Sequence, residues 1–491
     1  MRPKGFKLLL GVLLVGALFV RLYRLDELLG FWYDQGRDAL VIWDFWHNGK
    51  LFLVGPMMGA TGIFRGPWYY WLIAPLYLAG RGDPLWPAYF LILTSVISIF
   101  VLYKVGKEVG GVKAGLIAAF VASVSYYVVG ASRWLSNPTP MLLVSTLLIW
   151  AVFRFLEKKV WSLPLIALLI GLGLSFGAAT ELFYIPAMLI IVLMKKNNIP
   201  KPKVILLSLF LFFSTFLPQV IFEIRHRGVL FGAINKFLVE EKSFTLSFWE
   251  YFRSRLSFFY GLFSSKFWID GKNLFTPFFL IIVGYLIGKW KEIWGNEKFR
   301  VVLIFATAPF LGTLFLRGNQ GNIYEYYYTG YYLIFILLFS VILARMSEKF
   351  LGKAILAFFL IVVSIQNYHS FQKDFSVSLA SPNAISYKNQ LSAIDWIYTD
   401  AGSAGFNVDV YVPPVIPYAY DYLFKWLGTE KYKKLPVEEL VSTLYTLYEV
   451  DPDHPERLDA WLSRQEKIGQ VVKSERFGGI VVQKRLRLIY E

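Results

Sequence analysis

Long runs of apolar residues recur along the chain, and short polar segments separate them. Each run has about the 17–25 residues that a helix needs to cross a bilayer. The pattern predicts a polytopic membrane protein, mainly α-helical. Eleven membrane-spanning helices are predicted over residues 7–24, 84–104, 113–132, 138–156, 161–178, 180–194, 203–222, 274–290, 300–317, 327–344 and 353–369.

The segment "GPWYYWLIAPLYLAG", residues 66–80, is apolar but short, and it contains tryptophans, tyrosines and two prolines. Such aromatic residues concentrate at the membrane–water interface. The segment is therefore predicted to lie along the membrane surface. With that interpretation, six segments that each carry at least three Lys or Arg all fall on the cytoplasmic side, as the positive-inside rule requires. The N-terminus is predicted to be cytoplasmic.

This topology divides the chain into two predicted domains. Residues 1–369 form a transmembrane domain, whose large external loops cover 25–83 and 223–273. Residues 370–491 form a small extracytoplasmic α/β domain, with helices at "AIDWIY" and "HPERLDAWLSRQEK" and strands at "FNVDVYVPP", "LYTLYEV" and "GGIVVQKRL". The predicted localisation is the cytoplasmic membrane of the cell.

Composition agrees with this class and excludes others. Hydrophobic residues make up 56% of the chain and charged residues 17%, which is too apolar for a soluble protein of this length. The net charge of +16 comes from the basic segments between spans, so it does not indicate nucleic-acid binding. The chain has no cysteine, which excludes disulfides and thiol chemistry. The N-terminus has no small-residue cleavage site, so it is interpreted as a retained first span.

Three charged residues stand in "FWYDQGRDAL", residues 31–40, just after the first predicted span. Helical spacing begins there, and its apolar face would comprise Ala39, Ile42, Trp43 and Trp46. In one interpretation Asp34 caps this helix, while Asp38 pairs with Arg37 or faces water. In the other interpretation, the charges belong to a functional site. Charged side chains among aromatic residues at a membrane surface are energetically costly and usually have a function.

Two further polar clusters fall at predicted external ends. Arg65 precedes the aromatic segment 66–80, where a cation suits an anionic lipid phosphate. The turn "ASRWLSNPTP" contains Arg133 and Asn137 and lies between the third and fourth spans. Together with the acid after the first span, these motifs resemble those of the GT-C glycosyltransferases. The nearest groups are the dolichyl-phosphate-mannose protein mannosyltransferases and the bacterial aminoarabinose lipid A transferases.

The resemblance covers residues 7–195 and extends to the remainder by topology. It implies an inverting glycosyltransferase that moves a sugar from a polyprenyl-phosphate carrier to a lipid, glycan or protein acceptor outside the cytoplasm. Asp34 matches the catalytic acid, and Gln35 stands where the family often has a second carboxylate. Arg65 matches a basic residue near the carrier phosphate. Asn137 replaces an acid before proline, and Glu181 of "GAATELFYIPA" stands where relatives often have a polar or basic residue.

Additional candidates lie in "RGNQGNIYEYYYTGYY", residues 317–332. Arg317 would meet the donor phosphate, while Glu325 and Tyr327 would line a sugar site. The alternative for this stretch is an aromatic belt at the membrane interface. The charges Arg225, His226 and Arg227 are interpreted as flanks of a span.

No cofactor is predicted. Asp34, Asp38 and Glu181 have no metal-ligand spacing, so no metal site is predicted, and a divalent metal stays open. The main alternative function is a transporter or flippase of lipid-linked glycans, which would show related halves or broken helices in matching positions. A membrane scaffold is a third alternative, but it leaves the loop acids unexplained. The sugar, the acceptor and the oligomeric state are not indicated.

Overall fold

The computed structural model describes residues 3–57, 62–177, 179–236, 240, 247–268, 272–314, 322–413 and 416–488. These residues are mainly helical, and a four-stranded sheet lies near the C-terminus. The α-helices of the first part are α1 (Pro3–Leu22), α2 (Leu25–Leu28), α3 (Tyr33–Asn48), α4 (Trp68–Ala79), α5 (Leu85–Val124), α6 (Tyr126–Arg133), α7 (Met141–Leu156), α8 (Ser162–Phe176), α9 (Tyr184–Met194), α10 (Pro202–Ser214), α11 (Leu217–Arg225), α12 (Val229–Asn235), α13 (Phe248–Ser264), α14 (Lys272–Gly288), α15 (Trp290–Gly295), α16 (Glu297–Thr313), α17 (Tyr332–Met346) and α18 (Phe350–Phe375).

The apolar helices support a multi-pass membrane protein. Within the described residues, four helical stretches are long and apolar enough to cross a membrane: Gly5–Leu22, Leu85–Val124, Glu325–Met346 and Phe350–Phe375. The bent pair α10 and α11 would make a fifth. Shorter apolar helices cover Met141–Leu156, Ser162–Phe176, Thr180–Met194 and Leu274–Gly288. The number of eleven spans stays a prediction.

Two predicted spans, 84–104 and 113–132, fall largely within α5, where the chain turns sharply. Gly111 has a φ of +80°, which side chains rarely permit, and it breaks the helix together with Gly110. A Cβ on Gly106 would lie 2.9 Å from Cα of Gly115. The two halves of α5 therefore pack closely against each other as a hairpin. The buried helix α17 packs against this hairpin at the centre of the bundle.

Charged residues from three of the predicted cytoplasmic segments meet in space. Lys298 Nζ lies 2.6 Å from Oε2 of Glu108 and 3.0 Å from Oε1 of Glu157. Arg154 also pairs with Glu108. The segments around residues 104–113, 154–159 and 289–300 thus lie at one end of the bundle, which agrees with their assignment to one side of the membrane.

The helix of residues 66–80 is α4, with 12 residues. At 1.5 Å per residue it is about 18 Å long, against about 30 Å for the hydrocarbon core of a bilayer. Its length suits the predicted interfacial location. The helix α3 packs beside it, and Trp46 Nε1 donates to the Ala74 carbonyl at 3.0 Å.

The C-terminal part has the predicted α/β composition, which confirms the fold class. Its elements are α19 (Tyr387–Ala401), β1 (Asn407–Tyr411), α20 (Tyr418–Leu427), β2 (Thr443–Glu449), α21 (Pro455–Ile468), β3 (Gly469–Phe477) and β4 (Ile480–Arg487). The strand order is β1-β2-β4-β3, with β1 parallel to β2 and the other pairs antiparallel. The sequence did not predict α20 or β3. The strand β3 lies at the edge of the sheet and is largely exposed. Its sequence therefore lacks the alternation of apolar and polar residues from which strands are predicted.

Candidate active site

The charged stretch of the first loop forms the first turns of α3. Trp32 occupies the N-cap position, so Asp34 lies within the first turn and does not cap the helix. The Asp34 side chain is 53% exposed, and its Oδ1 lies 2.9 Å from Arg37 Nη1. Gln35 instead binds the helix start, because its Oε1 accepts a hydrogen bond from the Trp32 backbone amide at 3.2 Å. The carboxylate of Asp34 is therefore open to an incoming group.

Asp38, one turn further along α3, is buried. Its Oδ1 accepts hydrogen bonds from Arg37 Nη2 at 2.8 Å, from Arg37 Nε at 3.0 Å and from the Tyr70 hydroxyl at 2.8 Å. Burial raises the pKa of Asp38 to about 6, although Arg37 and Tyr70 act in the opposite direction. Of the two arrangements expected for Asp38, pairing with Arg37 is the one observed. Arg37 thus bridges a buried and an open carboxylate.

Arg65 reaches the same region from the other end of the first loop. Its backbone is held in an extended pair, with Arg65 N donating to the Pro56 carbonyl at 3.1 Å and its own carbonyl accepting from Gly55 N at 2.9 Å. The side chain is only 9% exposed, and its Nη1 has no hydrogen-bond partner among the described residues. Burial lowers the pKa of Arg65, and the charge of Glu181 opposes that change. A buried guanidinium with a free donor is suited to binding an anion.

Glu181 lies in a 3₁₀ turn, Ala179–Phe183. This turn packs against a second 3₁₀ turn, Glu325–Tyr331. Tyr331 donates from its hydroxyl to the Thr180 carbonyl at 2.8 Å, and Tyr184 donates to the Gly330 carbonyl at 2.8 Å. The Glu181 side chain is buried between these turns. The two turns bring one acid and a row of tyrosines toward Arg65.

Two tyrosines of the second turn complete the cluster. Tyr326 and Tyr327 have ring centroids 4.7 Å apart, and both lie within electrostatic range of Arg65. Tyr326 is also within range of Asp34. Tyr327 was predicted at the site, whereas Tyr326 was missed. Its only signal in the sequence is its position beside Tyr327 in a run of five aromatic or acidic residues, 324–328.

The structure places Arg133 away from this cluster. Its Nη1 donates to the carbonyls of Arg21 and Tyr23 at 2.9 and 2.8 Å, where α1 ends. Asn137 binds backbone as well, because its Nδ2 donates to the Phe176 carbonyl at 2.7 Å at the end of α8. Both side chains hold the turn between α6 and α7 against neighbouring helices, and their predicted contact with substrate stays a prediction.

Glu325 contacts a different pair of side chains. Its Oε2 is 3.9 Å from Nζ of the buried Lys266, and its Oε1 accepts from the Ser265 hydroxyl at 3.5 Å. Arg317 lies outside the described residues. The structure therefore brings together Asp34, Arg37, Asp38, Arg65, Glu181 and Tyr327 from among the predicted residues.

No group of three or more His, Cys, Asp or Glu side chains is arranged to hold a metal ion within the part of the chain that the structure describes. In the first loop, Arg37 occupies the space between Asp34 and Asp38 that a cation would need.

Comparison with known proteins gives one family-model match and several similar folds. Residues 64–222 match the family model described as dolichyl-phosphate-mannose-protein mannosyltransferase. That range contains Arg65, Asn137 and Glu181 but not α3. No curated protein matches the sequence.

The fold is similar to three solved structures of low sequence identity. ArnT from Cupriavidus metallidurans in the apo state has a TM-score of 0.60 and 12% identity, with 99% of this chain and 98% of that chain covered. The same protein bound to undecaprenyl phosphate has a TM-score of 0.58 and 12% identity, with 98% of each chain covered. The oligosaccharyltransferase of Archaeoglobus fulgidus in complex with zinc and sulfate has a TM-score of 0.51 and 12% identity, with 94% of this chain and 71% of that chain covered. The chain thus has the GT-C fold, and the resemblance indicated by its motifs is confirmed.

Proposed function

We propose that the protein is an inverting glycosyltransferase that uses a polyprenyl-phosphate-linked sugar as donor. The acceptor is a lipid, glycan or protein hydroxyl at the outer face of the membrane. One observation carries the proposal: buried Arg65, whose Nη1 has no hydrogen-bond partner among the described residues, and the open carboxylate of Asp34 both lie within electrostatic range of Tyr326. The similarity to a protein that was solved with undecaprenyl phosphate, over 98% of both chains, supports this class of donor.

Arg65 is the proposed contact of the donor phosphate. Departure of the carrier places negative charge on the phosphate oxygens, and a guanidinium stabilises that charge through charge-assisted hydrogen bonds. The neighbouring Tyr326 and Tyr327 supply hydroxyl donors and aromatic faces beside it. Arg317 is a second proposed phosphate contact. The donor is already activated, so protonation of the leaving group is not required.

Asp34 is the proposed general base. It accepts the proton of the acceptor hydroxyl while that oxygen attacks the anomeric carbon. The bond from that carbon to the phosphate oxygen breaks, and its electron pair leaves with the carrier. A single displacement inverts the anomeric centre and needs one carboxylate within hydrogen-bond reach of the acceptor. Arg37 and Asp38 hold that carboxylate in place, and Glu181 is proposed to contact the sugar.

The experiment is a transfer assay with the purified protein and a set of polyprenyl-phosphate sugars, followed by mass spectrometry of the products. Arg65→Gln removes the charge, so the KM for the donor should rise at least 10-fold, while Arg65→Lys should retain part of the affinity. Arg225→Gln, at an exposed arginine at the end of α11, is the matched control and should leave KM unchanged.

Two results would contradict the proposal. Equal use of a charged and an uncharged lipid donor by the intact protein would remove the role of Arg65. Movement of a lipid-linked glycan across vesicles, without transfer of sugar from any polyprenyl phosphate, would favour the flippase.

A further inference from the structure

The C-terminal α/β domain packs directly on the helix that carries the two aspartates. A Cβ on Gly36 would lie 2.3 Å from Ala419 N and 2.4 Å from the carbonyl carbon of Tyr418. The backbones of α3 and α20 are therefore in contact midway between Asp34 and Asp38. No side chain other than hydrogen fits at position 36 without a shift of one helix against the other.

A second contact binds the start of α3. Nε2 of Gln390, a buried residue of α19, donates to the Phe31 carbonyl at 3.0 Å. The same side chain lies within electrostatic range of the buried carboxyl of Glu449, which accepts a hydrogen bond from the Tyr420 hydroxyl at 2.8 Å. These buried polar side chains lie where β2, α19 and α20 of the C-terminal domain meet the residues that precede α3.

The domain also contacts the end of the first loop. The Tyr422 hydroxyl donates to the Gly82 carbonyl at 2.5 Å, and Trp426 Nε1 donates to the Arg81 carbonyl at 2.8 Å. Lys425 Nζ lies 3.4 Å from Oδ1 of Asp44 on α3. The helix α20 therefore spans the first loop, from the first turn of α3 to the residues before α5.

We propose that the C-terminal domain positions the catalytic carboxylate through two residues, Gly36 and Gln390. The inference rests on the proposed role of Asp34. Arg65 belongs to another segment of the loop, held by Gly55, Pro56 and the neighbouring α8 and α11. A displacement of α3 would therefore change the placement of the base without changing the contact with the donor phosphate. Misplacement by about 1 Å is sufficient to lower a rate up to 100-fold.

The test separates placement of α3 from stability of the domain. Gln390→Met removes the donor to Phe31 at similar length. Its kcat should fall about 10-fold, with the KM for the donor unchanged, and hydrogen exchange of the peptide Tyr33–Asp38 should become faster. Gly36→Ala should act in the same direction, and Gln390→Met remains decisive if that variant does not fold.

The matched control is Asn407→Leu. The Asn407 amide donates to the Val437 and Glu439 carbonyls at 2.8 Å each, within the same domain. This variant should lower the Tm of the protein but leave kcat and the exchange of Tyr33–Asp38 unchanged. An equal fall in kcat for Asn407→Leu would overturn the inference, as would unchanged kcat or unchanged exchange for Gln390→Met. If the wild type transfers no sugar from any polyprenyl phosphate, the proposed function fails, and the exchange of Tyr33–Asp38 alone decides whether the domain holds α3.

Discussion

Gln35 Nε2 donates a hydrogen bond to the Leu135 carbonyl at 3.2 Å, and this contact joins the start of α3 to the turn that precedes α7. The other end of the same amide accepts from the Trp32 backbone. Gln35 is buried, so both of its polar atoms are used where water has little access. Gln35 thus has a structural reason to be an amide, at a position where the resemblance to the GT-C glycosyltransferase family predicts a second carboxylate.

Gln35→Glu should therefore lower both stability and activity, even though it restores the Asp-Glu pair of that family. A carboxylate accepts hydrogen bonds but cannot donate to the Leu135 carbonyl, and it would place a charge in a buried position. The free energy of unfolding should fall by on the order of 2 kcal/mol. Thermal unfolding measures this, with Gln470→Glu on the exposed strand β3 as control. A variant as stable as the wild type and more active would show that the amide has no such role.

The sequence predicted the local part of the site well. The apolar face of α3 follows from spacing within one helix, and three of the four residues predicted for it, Ala39, Ile42 and Trp43, are buried. The Asp38–Arg37 pair joins adjacent residues. Trp46 is 38% exposed but binds the Ala74 carbonyl. Periodicity is sufficient for such contacts, because residues three and four apart share a helix face.

Contacts between distant segments could not be predicted in the same way. Arg133 and Asn137 stand in a turn that resembles a site motif, yet their donors bind the carbonyls at the ends of α1 and α8. Those partners depend on how the helices pack, and the spacing of residues within one segment does not predict that packing. The same holds for the approach of α20 to Gly36, since α20 itself was not predicted.

The topology prediction concerns the end of the bundle where Lys298 meets Glu108 and Glu157. The positive-inside rule places this end in the cytoplasm, together with Lys195–Lys203. The chain has no native cysteine, so a single cysteine can be introduced as a reporter. The cysteine of Lys201→Cys should react with a membrane-impermeant thiol reagent only after the membrane is permeabilised. A cysteine at Lys473 on β3 is the control and should react in intact cells. Reaction of the first site in intact cells would reverse the assignment of every span.

Asp38 predicts opposite effects of acid on activity and on stability. Its folded pKa of about 6 lies above the ordinary value of 3.8. Between about pH 6 and pH 4 the folded protein therefore binds more protons at this group than the unfolded chain, so its contribution to stability rises as the pH falls. Activity should fall over the same pH range, because a protonated Asp38 no longer forms an ion pair with the Arg37 guanidinium. Profiles of kcat and Tm against pH measure this, and both changes should be absent in Asp38→Asn.

Asp34→Asn tests the proposed base. Asp34 does not cap α3, and its side chain is half exposed, so the amide should change the Tm by little. It cannot accept a proton from the acceptor, so the rate of transfer should fall on the order of 10²–10⁴-fold, with the KM for the donor nearly unchanged. Asp38→Asn is the matched variant on the same helix. Asp38 is buried against Arg37 and Tyr70, and burial disfavours its charge, so the amide should change stability little and should lower activity less than Asp34→Asn. Transfer rates and thermal unfolding of both variants distinguish the two roles, and a stable, fully active Asp34→Asn protein would rule out Asp34 as the base.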